Sequence, residues 1–90
     1  MDNRERYNNY IANNIRRLRK KNGYSQAKLA EKLQTLGIDY THARISHIEL
    51  KKRPPTAALV IALKCIFDCE YSELVGEVED ECKELLGKQE

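Results

Sequence analysis

No long apolar run is present: the longest, Ala57 to Leu63, has seven residues and ends at Lys64. A membrane-spanning helix needs about 20, so a transmembrane reading is excluded. No apolar stretch follows Met1-Asp2-Asn3-Arg4-Glu5, so no secretory signal is expected and the chain reads as cytoplasmic. Cysteine is scarce and odd in number, with Cys65, Cys69 and Cys82. That count, without a signal peptide, argues against a disulfide framework. Cys65 and Cys69 stand one helical turn apart, but no CxxC or His pair has ligand spacing. All three are read as ordinary thiols, and no metal site is expected. Repeats, low-complexity tracts and clean apolar–polar alternation are missing, which removes strands from the expectation. Enzyme signatures are missing too: there are only two histidines, His42 and His47, and no Gly-rich phosphate loop, nucleophile elbow or HExxH. The reading is therefore no enzyme, no cofactor and no small-molecule site. Glu77, Glu79, Asp80, Glu81 and Glu84 read as a solvated acidic face.

What is present fits one small globular domain: 90 residues, 41% apolar and 33% charged. The net charge of +2 conceals an asymmetry. Residues 1–53 hold 13 Lys/Arg against 5 Asp/Glu, and residues 54–90 hold 3 against 9. A basic surface facing a polyanion, with an acidic C-terminal segment held away from it, follows from that split.

Apolar spacing is helical throughout. Tyr7, Ile11, Ile15 and Leu18 form one stripe, with Arg16, Arg17, Lys20 and Lys21 read as a solvated face; Asn22-Gly23 is a stop. Ser25 is a natural N-cap for a second helix carrying Leu29, Ala30, Leu33 and Leu36 to Gly37. Thr41 caps a third, with Ile45 and Ile48 buried, expected to run to about Lys52 because Pro54-Pro55 forbids more. Thr56 caps a fourth, with Val60, Leu63 and Phe67, ending near Asp68. Tyr71, Leu74, Val75 and Val78 predict a fifth, weakened at Gly76; Cys82, Leu85 and Leu86 extend its stripe to Gly87. The expectation is a compact all-α domain of five helices, or six, over residues 1–76, with an acidic helical extension over 77–90.

Two short helices joined by a glycine-containing turn, in the basic half, suggest a helix-turn-helix. The run Asn14-Ile15-Arg16-Arg17-Leu18-Arg19-Lys20-Lys21-Asn22-Gly23-Tyr24-Ser25-Gln26-Ala27-Lys28-Leu29-Ala30 resembles the opening of the Cro/phage-repressor-like (Xre-type) family. Thr41-His42-Ala43-Arg44-Ile45-Ser46-His47-Ile48-Glu49 resembles that family's recognition helix, and Arg53-Pro54-Pro55 completes the order. The resemblance spans roughly residues 7 to 75 and implies a lambda-repressor-like fold and double-stranded DNA as partner. One departure stands out. Leu33 to Tyr40 is longer than the family's usual turn by about five residues, read as one extra turn on helix two plus a longer connection.

The major groove admits one α-helix. With Ile45 and Ile48 inward, His42, Ala43, Ser46 and His47 share the outward face. His42, Ser46 and His47 can hydrogen-bond base edges, and Ala43 can meet a thymine methyl. The preferred bases stay open. The resemblance implies that Gln26, at a helix N-terminus, holds a phosphate. Lys51, Lys52, Arg53 and Arg44 are further phosphate candidates. It also implies an Arg19–Glu49 ion pair bracing helix one against the recognition helix. Leu50 reads as exposed and without a role.

The functional expectation is a sequence-specific transcriptional regulator, a repressor by operator occupancy. A protein-interaction helix-turn-helix module, antitoxin-like or developmental, is the alternative. RNA binding lacks an aromatic platform for unstacked bases. One domain covers few base pairs, so a homodimer is expected, with Val75, Val78, Cys82 and Leu85 as a short seam beside the end of helix four.

Overall fold

The computed structural model describes residues 2–87. It contains α1 (Arg4–Lys21), α2 (Gln26–Thr35), α3 (His42–Glu49), α4 (Ala57–Phe67) and α5 (Tyr71–Gly87), and no strand among the described residues. The protein is all-α, with five helices among the described residues.

Three helices begin on a hydroxyl that accepts from an amide three residues on. Ser25 Oγ accepts from Lys28 N at 3.0 Å, Thr41 Oγ1 from Arg44 N at 3.2 Å, and Thr56 Oγ1 from Leu59 N at 3.2 Å. Each cap satisfies an amide that lacks an intrahelical partner and is worth about 1 kcal/mol.

The helix ends repeat one arrangement, in which a left-handed residue lets two amides turn back onto carbonyls of the last turn. Gly23 (φ +72°) does this for α1 and Gly37 (φ +80°) for α2. After α2, the Gly37 amide bonds to the Gln34 carbonyl at 2.9 Å and the Ile38 amide to the Leu33 carbonyl at 3.0 Å. α2 therefore stops two residues past Leu33, and residues 36–41 form the connection to α3. Leu36, expected on the apolar stripe, is 51% exposed because it lies past the last helical residue as the C-cap.

The third helix is also shorter than its expected reach to Lys52. It ends at Glu49, because Lys51 itself turns left-handed (φ +65°). The Lys51 and Lys52 amides then bond to the Ile48 and His47 carbonyls at 3.0 and 2.8 Å. A left-handed lysine costs about 1–2 kcal/mol, so the stop at Glu49, five positions before Pro54, does not come from local preference.

The core is a single cluster fed by all five helices: Ile15 and Leu18, Leu29 and Leu33, Ile45 and Ile48, Leu59, Leu63 and Phe67, and Leu74. α2, α3 and α4, at 10, 8 and 11 residues, are too short to be stable alone, so burial of these stripes stabilises the helices together. α5 lies antiparallel along α1, tied by Asn14 Nδ2 donating to the Leu74 carbonyl (2.8 Å) and Arg17 Nη2 to the Glu73 carbonyl (3.1 Å). Further along, Arg6 meets Glu81 at 2.9 Å. α5 passes through Gly76 without a break. No described helix is long and apolar enough to cross a membrane.

Candidate nucleic-acid interface

α3 divides by burial as its spacing predicts. Ile45 and Ile48 are buried, His42, Ala43 and His47 are exposed, and Ser46 is half-buried. α2 packs beside α3, and α1 crosses its inner side. Lys51, Lys52 and Arg53 are exposed in the turn leaving α3. They line an open groove of about 480 Å³ with Asp2 and, from the first half of α1, Arg4, Glu5, Asn8 and Asn9. The short α3 thus ends beside the N-terminus of α1, where the Arg4 guanidinium is paired with Asp2 at 2.6 Å.

Beneath this face lies a buried polar chain. Arg19 Nε donates to Glu49 Oε2 at 2.7 Å and Nη2 to Oε1 at 2.9 Å. Their side chains are 10% and 4% exposed. Arg19 Nη1 donates to the Tyr24 carbonyl at 2.8 Å, so each of the three guanidinium nitrogens has a partner. Two charges withdrawn from water are tolerated only with such satisfaction. The pair ties the last turn of α1 to the last turn of α3, which fixes how α3 sits on the body. Glu49 Oε1 also accepts from Gln26 Nε2 at 3.1 Å, and Gln26 Oε1 faces His42 Nε2 at 2.9 Å.

Arg44 is held as well. Its guanidinium lies 4.3 Å from the centroid of the Tyr40 ring. Tyr40 is buried, its hydroxyl is 3.1 Å from Thr56 Oγ1, and its carbonyl accepts from Gln34 Nε2 at 2.9 Å. The long connection therefore delivers an aromatic platform that restrains an arginine of α3. Sequence reasoning missed this stack although Tyr40 and Arg44 stand four apart. It also missed the Gln26–His42 bond, for which sixteen residues of separation leave no local signal.

The seam residues lie on the α5 side facing α1. Val75, Val78 and Cys82 are half-buried there and only Leu85 is exposed. Among the described residues no group of three or more His, Cys, Asp or Glu could hold a metal ion. Burial pushes the Cys69 thiol up, whereas Cys65 is exposed.

No curated protein and no solved structure matches the chain. The sequence profile of the helix-turn-helix family matches residues 15–74, from the middle of α1 to the first turn of α5. This span holds the buried ion pair, the exposed row on α3 and the basic turn after it, and the chain belongs to the Cro/C1-type, Xre-like helix-turn-helix family, a family of DNA-binding regulators.

Proposed function

We propose that the chain reads a specific double-stranded DNA operator and represses transcription by occupying it, as a homodimer. The observation that carries this reading is the exposed row His42, Ala43 and His47 with Ser46, held on a helix end braced by Arg19 and Glu49 and followed by Lys51, Lys52 and Arg53. The row can reach base edges in the major groove. The cations, with Arg44, can take phosphates on either side. Gln26, at the start of α2, keeps one amide N–H for a phosphate beside its bonds to Glu49 and His42.

Titration of binding against salt tests the reading. Several phosphate contacts make affinity fall steeply as salt rises. Binding indifferent to salt supports the second reading, a protein-interaction module. One observation favours that second reading: Leu36, Ile38, Ala58, Ile61 and Cys65 form an apolar surface over the end of α2 and the outer face of α4.

Two half-sites about 34 Å apart need a two-fold pair. The outer edge of the Val75, Val78, Cys82 and Leu85 stripe, with the end of α4, is the proposed contact.

A further inference from the structure

The side-chain types of the recognition face leave the preferred bases open. Its hydrogen bonds do not. The Glu49 carboxylate can only accept, and it takes N–H groups from Arg19 and, at 3.1 Å, from Gln26 Nε2. With its amide nitrogen committed to Glu49, Gln26 turns its carbonyl oxygen toward His42. A carbonyl oxygen also only accepts, so His42 Nε2, 2.9 Å away, must carry the hydrogen. In the neutral ring the lone pair is then on Nδ1. Among the described residues none hydrogen-bonds that nitrogen, and His42 is exposed at the start of α3.

We propose that Glu49 and Gln26 are positioning residues that lock His42 as its Nε2–H tautomer, so that His42 reads the major-groove amino group of an adenine or cytosine through Nδ1. The assignment rests on the DNA-binding reading above. In the major groove only adenine N6 and cytosine N4 donate, whereas guanine N7 and O6 and thymine O4 accept. An Nδ1 lone pair gains a bond from the first two and faces a lone pair on the others. An unrestrained histidine could offer either nitrogen as donor and would lose this discrimination. Gln26 therefore acts on specificity without touching a base.

The test uses the full chain. Sites are selected from random double-stranded DNA with the parent, His42→Ala and Gln26→Ala proteins. The expected outcome is one position in each half-site, adenine or cytosine, whose preference disappears in His42→Ala and weakens in Gln26→Ala, other positions being unchanged. Replacing that base by its analogue without the amino group should cost the parent on the order of tenfold in affinity and cost His42→Ala nothing. Nitrogen NMR of the His42 ring should show protonated Nε2 in the parent and a tautomer mixture in Gln26→Ala. The NMR and analogue measurements on the parent hold even if a variant folds poorly. A His42-dependent guanine or thymine, an analogue without cost, or a proton on Nδ1 overturns the assignment and leaves DNA binding standing. Selection of no site at all overturns the DNA reading, and the assignment with it.

Discussion

At the scale of single residues, position and burial separate groups that read alike in the sequence. His47 and Lys52 are both exposed, yet one stands on the helix face and the other in the turn beyond it. His47→Ala should cost roughly 1–3 kcal/mol at the preferred site and relax preference there. Lys52→Ala should weaken all sequences alike and lower the salt slope by about one unit. Competition titrations over a salt series, with specific and random DNA, measure both. Equal loss on the two DNAs for His47→Ala would place the reading face elsewhere. Glu49 is a different case, because its loss leaves the Arg19 guanidinium buried with only the Tyr24 carbonyl. Glu49→Ala should destabilise by about 3–5 kcal/mol, read as a lower melting temperature together with weaker DNA binding. A variant melting like the parent would show that water replaces the carboxylate without cost. The thiols differ by the same logic. Cys65 is exposed, whereas Cys69 is buried with its thiol pushed up and so has little thiolate at neutral pH. Alkylation followed by mass spectrometry should label Cys65 first and Cys69 last; the reverse order would mean that α4 opens at its C-terminal end.

At the scale of elements, local chemistry made most boundaries legible. Ser25, Thr41 and Thr56 announce helix starts because a hydroxyl acts within its own turn. Gly23 and Gly37 announce stops for the same short-range reason. The end of α3 was not legible, since nothing about Lys51 favours a left-handed backbone. It coincides with the burial of Ile48 and Glu49 just before it. Gly76 is the converse: it reads as a weakness, yet α5 continues through it. A Cβ there would meet nothing within 4 Å. Gly76→Ala should therefore raise stability by about 0.5–1 kcal/mol through helix propensity alone, visible in urea denaturation. A loss instead would mean that a second chain approaches this backbone closely.

At the scale of the whole molecule, the question is what α5 does beyond Leu74. That residue is the last member of the buried core. The remainder of the helix lies along α1, with Glu81 meeting Arg6 and Leu85 and Leu86 exposed. Truncation after Gly76 removes this half while keeping Leu74. The shortened chain should stay folded, with a modestly lower melting temperature, and should lose dimerisation and cooperative operator binding. Sedimentation and DNA titration measure these. Unfolding would make the segment part of the core, and retained dimerisation would move the interface to the apolar face of α4.

The all-helical class, three of the caps, most of the core stripes and the basic-to-acidic split were determined by the sequence alone, because each depends on neighbours within a turn or two, or on composition. The outward row on α3 was legible for the same reason, since spacing of three and four defines a helix face. Tertiary structure alone decided where α3 stops, where the long connection goes, and which atoms of Gln26, Glu49 and His42 face one another. Those outcomes depend on groups 23 and 16 residues apart meeting at about 3 Å. Only packing of the whole core fixes such distances, and hydrogen-bond direction then assigns the proton on the His42 ring.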